Sequence, residues 1–416
     1  MSPLSSPLSD EAEKVAALRL ALPATSAGIY LNTGTCGPLP AETAAAMAEL
    51  ADWELRLGRA SPDAYYDVLQ RMEEARASVA AIVGANIRDI ALVHAATEAM
   101  NVATWGIDWQ PGDRAVSTRQ FEHAGGLSSL YTIRDRLGVE LELVDVGDGD
   151  AVRALEALDR AIRPGTRLVS LSHVSHATGA VLPIARIAQL AHARGALLAV
   201  DGAQAVGAIP VDVAGLGVDL YAIAGQKWLM GPEGTAALYV APAALDRVRM
   251  TYSSFWSFEE HDLAGAARPW PNARRFEGTS GVNHGQVIGL ARSCGWLSMY
   301  VGLEWAYQRI ARLARATADR LAAVPGLTLI TPMSAMAGLV VFRLAGWPAE
   351  TIVDELGARI FVISRPIKDL DAVRFSVAWF NTEAELDRTL ELVAELARHT
   401  PETMPARRTL NVLEGA

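Results

Sequence analysis

Asp201 and Lys227 are the two residues whose types and spacing promise chemistry. Asp201 directly follows the apolar run Ala196–Val200, and Lys227 follows the run Leu220–Ile223 inside AGQKWLMGPEG. A lysine on a loop at the end of a buried strand can form a Schiff base with a carbonyl, provided burial or a neighbouring charge leaves its amine neutral. A carboxylate close by can keep a pyridine-type ring nitrogen protonated, so that the ring accepts electrons from a breaking bond. Each residue also has an ordinary reading: Asp201 as the N-cap of a helix in AQAVGAI, and Lys227 as a solvated residue of a Gly- and Pro-containing turn.

Both positions depend on a repeating pattern of elements. The short apolar runs are Ile90–Val93, Arg114–Ser117, Leu141–Val144, Leu168–Leu171, Leu197–Val200, Leu220–Ile223 and Ala236–Val240. Amphipathic segments such as Ala151–Ile162 and Ile184–Ala193 lie between them, which predicts repeated βα units and a seven-stranded, mostly parallel sheet. Ligands of such sheets sit at the carboxyl ends of the strands, where Asp201 and Lys227 fall. Residues 1–28 read as an N-terminal arm with one helix capped by Ser9 or Asp10, and residues 29–265 as a large domain. The aromatic, Pro- and Gly-containing stretch Tyr252–Asn272 marks a boundary. Beyond it, residues 266–402 read as a smaller α+β domain. Its pattern predicts a long helix from about Gly285 to Val301 continuing to Ala323, strands at Leu327–Leu329, Gly338–Phe342 and Ala372–Val377, and a last helix from Thr382 to His399. Residues 403–416 read as a flexible tail.

Composition excludes several classes. The chain has 416 residues, of which 51% are hydrophobic and 20% charged, the balance of a globular protein with a large core. Its 37 Lys and Arg against 47 Asp and Glu give a net charge of −10, which argues against nucleic acid or an anionic membrane as the main partner. Two cysteines, Cys36 and Cys294, are too few for a disulfide framework or a cysteine metal site, so no metal is expected, and they fit a reducing cytosol. The start MSPLSSPLSDEAEK lacks a basic, apolar leader, and no apolar stretch approaches the roughly 20 residues of a membrane span. The expectation is a soluble, cytoplasmic protein.

The stretch from His173 to Val240 resembles the core of the class V aminotransferase family, and the similarity extends over roughly Tyr30 to Leu396. That family has the aspartate-aminotransferase-like α/β fold, fold type I, and includes cysteine desulfurases, cysteine/cystine C–S lyases and isopenicillin N epimerase-like proteins. The resemblance implies pyridoxal 5'-phosphate as cofactor. Asp201 of DGAQ would bind its ring nitrogen, Gln204 would contact its phenolic oxygen, and Lys227 would form the Schiff base. Ala96 and Thr97 of AATEA match a phosphate-binding turn at a helix start, with an ordinary Thr N-cap as the alternative. Gln226 matches a further phosphate donor, often His in relatives, while Ala224 replaces a Ser often found there. His123 of FEHAGG matches the histidine that stacks on the ring and sometimes moves protons; the alternative is a helix-start histidine facing solvent. His176 of HVSHATG stands where desulfurases usually carry Asn beside the ring oxygen, a departure that changes the tuning of the ring.

In the smaller domain, Arg374 of VRFSVAWFN matches the arginine that grips the substrate carboxylate, a task suited to a planar fork. A surface arginine on a strand is the alternative. Arg365 matches another arginine flanking the pocket, and Asn32 and Cys36 of LNTGTCGPLP lie on a segment that in the family approaches the amino-acid substrate. Cys36 also reads as a buried structural thiol, and Cys294 as packing. Thr279 of RRFEGTSG matches the residue that reaches the phosphate of the neighbouring subunit, which implies a homodimer with shared sites.

The reaction is narrowed by an absence. Desulfurases carry a cysteine on the loop ahead of the carboxylate-binding arginine, because a thiolate there attacks the substrate sulfur. This chain reads FVISRPIKDLDAVRFS at that point, with no cysteine. The chemistry left is deprotonation at Cα by Lys227, followed by β-elimination, reprotonation on the other face, or transamination. The LN-x-G and GPLP start, GPEG after the lysine and RRFE are shared with the C–S lyases, so β-elimination is the favoured expectation. Epimerisation, transamination, a cysteine desulfurase disfavoured by the missing cysteine, and a catalytically silent dimeric binding protein remain as alternatives.

Overall fold

The computed structural model describes residues 10–278 and 283–407. A first helix, α1 (Glu11–Leu20), is capped by Asp10, whose Oδ1 accepts the Ala12 N–H at 3.0 Å. Ser9, the other expected cap, lies outside the described residues. The arm is docked by ion pairs of Glu11 with Arg309 at 2.8 Å and of Arg19 with Glu385 at 2.7 Å. A two-residue strand, β1 (Ile29–Tyr30), follows, and then the helices α2 (Ala41–Leu57) and α3 (Pro62–Ile82).

The seven apolar runs are seven strands: β2 (Ile90–Val93), β3 (Arg114–Thr118), β4 (Glu140–Val144), β5 (Thr166–Ser172), β6 (Leu197–Asp201), β7 (Leu220–Ala224) and β8 (Ala236–Val240). Their order in the sheet is β2-β8-β7-β6-β5-β3-β4, with β8 antiparallel to both neighbours and the other pairs parallel. Strands β6, β7 and β8 are buried at every residue, which is why they read as unbroken apolar runs: helices cover both faces of a parallel sheet. Those helices are α4 (Ala96–Trp105), α5 (Ala124–Leu137), α6 (Ala151–Ala161), α7 (Ile184–His192) and the single turn α8 (Val213–Leu216). The strand order reverses between β3 and β5, and such a reversal opens a crevice at the carboxyl ends.

The aromatic stretch after β8 contains a hairpin, β9 (Phe258–His261) and β10 (Ala267–Pro269), that the sequence reading did not anticipate. The long helix expected beyond it is interrupted. It comprises α9 (His284–Trp296), a π-helical turn over Leu297–Val301 and α10 (Leu303–Ala322), with the break at Gly302, whose φ of +82° no helix accommodates. Helix α9 packs on α2 and α3.

A second, antiparallel sheet has the order β11-β12-β15-β14, built from β11 (Leu327–Leu329), β12 (Leu339–Leu344), β14 (Arg365–Ile367) and β15 (Ala372–Ser376). Between β12 and β14 lie α11 (Ala349–Ile360) and β13 (Val362–Ile363), which pairs in parallel with β1. The final helix, α12 (Glu383–Leu396), starts with a capping box between Thr382 and Glu385. Chain as far as Arg407 is tied down: Arg359 donates to the Pro405 carbonyl at 2.5 Å, and Arg407 pairs with Glu355 at 2.9 Å. Among the described residues no helix is long and apolar enough to cross a membrane.

Candidate active site

Asp201 is the last residue of β6 and is only 8% exposed. It caps no helix, because the residues after it form successive turns. Its Oδ1 accepts the Ala203 N–H at 3.0 Å, and its Oδ2 faces the glycine start of α5, where a Cβ on Gly126 would stand 3.9 Å away. Gln204, two turns on, is held at both ends of its amide. Nε2 donates to the Gly34 carbonyl at 2.7 Å, and Oε1 accepts from Trp228 Nε1 at 2.9 Å.

Lys227 lies on the tight loop between β7 and β8. The Gly37 N–H donates to the Gln226 carbonyl at 2.8 Å, and a Cβ on Gly37 would stand 2.3 Å from the Lys227 carbonyl oxygen. Only glycine lets the N-terminal segment approach the lysine loop this closely. Burial lowers the Lys227 pKa, and the charges of Arg374 and Arg365 lower it further against the opposing pull of Asp201 and Cys36. The amine is thereby shifted toward the neutral form that a nucleophile or base requires. The side chain of Gln226 is half-buried beside it, and Ala224 ends β7 without a hydroxyl.

Helix α4 begins at Ala96, and its N-cap, Ala95, makes no side-chain capping bond. Thr97 is therefore not an N-cap but the second residue of the helix, exposed, with first-turn N–H groups open to an anion. A Cβ on Gly125 would stand 2.3 Å from Thr97 Oγ1, so the start of α5 closes on the start of α4 through a bare glycine.

His123 caps α5: its Nδ1 accepts the Gly125 N–H at 3.0 Å, which requires that nitrogen to be unprotonated. The residue is exposed at the helix start, as the alternative reading had it, and partial loss of solvent around the ring, with Lys227 next, lowers its pKa in the same sense. Its ring meets that of His176 edge-on, with centroids 5.0 Å apart. Burial pushes His176 down to about 3, with His123 and Arg374 adding to the effect, so this imidazole is neutral. The loop carrying His176 includes Val174 at φ +86°, a strained conformation for a β-branched residue and a mark of a site held by its surroundings.

Arg374, in β15, is 1% exposed. Nη1 donates to the His176 carbonyl at 3.1 Å, Nη2 donates to Thr35 Oγ1 at 3.2 Å, and Nε has no partner. Arg365 stands directly opposite on β14 and donates to the same Thr35 Oγ1 at 3.2 Å. The Thr35 hydroxyl in turn donates to Asn32 Oδ1 at 2.8 Å. Burial and the charge of Arg365 lower Arg374 to about 9. Among the described residues neither guanidinium forms an ion pair, so two facing cations await an anion.

Cys36 is half-buried, with Sγ 3.6 Å from Glu233 Oε1, and burial followed by that carboxylate raises the thiol pKa. Cys294 is fully buried in α9 and pushed up to about 12 by burial, consistent with packing alone. Thr279 lies outside the described residues. No group of three or more His, Cys, Asp or Glu among the described residues is arranged to hold a metal ion. Sequence reasoning missed Thr35, Trp228 and the buried Glu122. Only the position of Glu122 directly before His123 in FEHAGG gave a signal.

Residues 29–389 match the family model for aminotransferase class-V. The chain belongs to that family. Isopenicillin N epimerase of Streptomyces clavuligerus is 30% identical over 88% of this chain and 94% of its own length. A protein named "Probable cysteine desulfurase" from Mycolicibacterium paratuberculosis is 32% identical over 78% of this chain, which spans about half (49%) of that relative. Among solved structures, the cystine C-S lyase C-DES in complex with cysteine persulfide superposes with a TM-score of 0.84 at 27% identity, over 90% of this chain and 99% of that one. A C-DES variant with glycine covalently linked to the PLP cofactor superposes equally, with a TM-score of 0.84 at 26% identity, over 91% of this chain and 99% of that one.

Class V enzymes depend on pyridoxal 5'-phosphate, and the donor set of this chain fits that group. The uncapped start of α4 suits a phosphate, the buried Asp201 carboxylate suits a ring nitrogen, and the lowered pKa of Lys227 suits a Schiff-base amine.

Proposed function

We propose that this protein is a C–S lyase, releasing sulfur by β-elimination from an amino acid that carries a second carboxylate, with cystine or a thioether conjugate as the type. The observation that carries the reading is the pair Arg374 and Arg365, cross-strand partners joined through the Thr35 hydroxyl without a carboxylate of their own. Arg374 holds the α-carboxylate, whose fixed plane decides which Cα bond is aligned for cleavage. The exposed Arg365 takes the distal carboxylate. Asp201 and Gln204 would orient the ring, and Ala96, Thr97 and Gln226 would hold the phosphate. His123 and His176, whose rings meet edge-on, would flank the ring and its oxygen. The cofactor supplies the sink for the electron pair released at Cα.

Lys227, as a neutral amine, takes the Cα proton. The Cα–H electrons form the Cα–Cβ double bond as the Cβ–S bond breaks, and sulfur leaves with its electron pair, as a persulfide where the substrate is a disulfide. Water then releases keto acid and ammonia. No thiol stands on the 362–367 segment to accept sulfur, and Cys36 is held as the protonated thiol beside Glu233, which supports elimination over persulfide transfer. A homodimer completed by Thr279 of each subunit, acting in the cytoplasm, belongs to the same reading, and light scattering of the purified protein tests its mass.

The similarity to isopenicillin N epimerase, over 88% of this chain, favours a second reading, epimerisation at Cα. Incubation with cystine, cysteine and thioether conjugates in deuterium oxide separates the two. Keto acid and released thiol or persulfide are expected. Solvent deuterium at Cα with inversion and no keto acid would overturn the lyase reading.

A further inference from the structure

Glu122 is a buried carboxyl group that the proposed reaction does not use. It lies 8% exposed in the crevice between β3 and β5, where the strand order reverses. Oε1 accepts from Thr118 Oγ1 at the end of β3 at 2.5 Å, and Oε2 accepts from Ser172 Oγ at the end of β5 at 2.7 Å. Both donors are neutral, and among the described residues no cation is bonded to this carboxyl. A carboxylate left in such a place without a cation is costly, so it either takes a proton or meets a cation that arrives with a ligand.

The neighbouring strand identifies that cation. Ser172 pairs in register with Asp201, so the backbone of the residue whose hydroxyl holds Glu122 runs one strand spacing, about 4.8 Å, from the backbone of the ring-binding aspartate. His123, the next residue, caps α5 beside it. The titratable groups around Glu122 are thus Asp201 on β6 and the neutral His123. Burial and the hydroxyl contacts act on Glu122 in opposite senses, burial prevails, and Asp201 adds to it, so the carboxyl is pushed up to about 7. Without a ligand cation it therefore holds a proton close to neutrality.

We propose that Glu122 is a positioning residue for the cofactor: through Ser172 it backs Asp201 with a second negative charge, and the cation that completes the cluster is the protonated ring nitrogen of pyridoxal phosphate. Glu122 touches neither substrate nor the reacting atoms. It favours the protonated ring, and with it the capacity to withdraw electrons, whichever Cα reaction follows. The inference rests on the cofactor and not on the lyase reading, so failure of one leaves the other standing.

The test uses the full-length holoenzyme loaded with pyridoxal phosphate labelled with ¹⁵N in the ring. The ¹⁵N shift is followed across pH in the wild type, E122Q and S172A, and kcat and KM are measured beside it. E122Q is expected to lower the protonation midpoint of the ring nitrogen by about one pH unit, a tenfold change in the protonation equilibrium, with substrate KM within about twofold of wild type. S172A, which keeps the carboxyl and removes its link to the Asp201 strand, is expected to shift the midpoint in the same direction by less. An unchanged midpoint in E122Q overturns the proposal even where thermal stability or kcat falls, because a merely structural role moves those and not the ring. If E122Q does not fold, S172A decides by the same readout.

Discussion

Replacing Arg365 by glutamine separates the two carboxylate sites of the proposed reaction. The guanidinium is exposed on β14 and shares Thr35 Oγ1 with Arg374, each at 3.2 Å. A charge-assisted hydrogen bond is worth about 1.5–3 kcal/mol, and exposure to water and salt argues for the lower end. Loss of about 1.5 kcal/mol is roughly a tenfold fall in kcat/KM, and it applies only to substrates that present a distal carboxylate. Cystine should therefore lose about tenfold while cysteine stays within about twofold. The same substitution removes a positive charge that lowers the pKa of Lys227 and of Arg374. With that charge gone the Lys227 amine regains basicity, its neutral fraction at a given pH falls, and the limb of the pH profile on which activity rises moves to higher pH. The assay is keto-acid release from both substrates over a pH series, run for wild type and variant side by side. An equal loss on cysteine and cystine would refute the assignment, because Arg365 would then act on something common to both. A limb that moves to lower pH would refute the electrostatic part.

Three further outcomes follow from the same geometry. Lys227→Ala should leave purified protein without the visible absorbance that pyridoxal phosphate acquires on a lysine, and should lower turnover by more than about a thousandfold; a variant that keeps both band and turnover excludes Lys227 as the attachment point. Gly37→Ala, whose Cβ would stand 2.3 Å from the Lys227 carbonyl oxygen, should displace the lysine loop and cut kcat by about tenfold or more, with wild-type kinetics refuting the contact. Glu122 has a native pKa raised from 4.5 to about 7. Its contribution to apoprotein stability is therefore full below the unfolded value and is lost as pH rises through the folded one, up to about 3 kcal/mol in all. Denaturant titrations should show E122Q gaining on wild type between those limits, and parallel curves would refute the shift.

The central strands were legible because strands buried on both faces have no polar alternation to hide them, and Asp201 and Lys227 stood out because one ends such a run and the other lies three residues past the next. What escaped were features made by distance in sequence. Thr97 reads as an N-cap from its neighbours alone, but the helix begins one residue earlier, leaving the first turn open for a ligand. Gly302 sits in an amphipathic pattern that continues on both sides of it, and its positive φ is what marks the break. Glu122 has no local signature of burial, since its two hydroxyl partners come from strands that meet only in the sheet.

Thr35 shows the same limit and explains why the N-terminal segment belongs to the site. The Ser376 N–H donates to the Leu31 carbonyl at 2.8 Å, so the segment is first bound along β15. Within the next few residues Thr35 Oγ1 receives both arginines, the Gly34 carbonyl fixes Gln204, and Gly37 packs on the lysine loop. One short loop thus touches Arg374 and Arg365, Gln204 and the Lys227 loop, the groups to which the proposed reaction gives carboxylate binding, ring orientation and proton removal. A substrate carboxylate arriving at Arg374 would compete for the Nη2 that rests on Thr35, and releasing that contact would free the loop two residues before Gly37, which packs on the Lys227 carbonyl. Occupation of the arginines and placement of the base are on this geometry parts of one event, so an amino acid lacking the carboxylate should lose turnover as well as affinity.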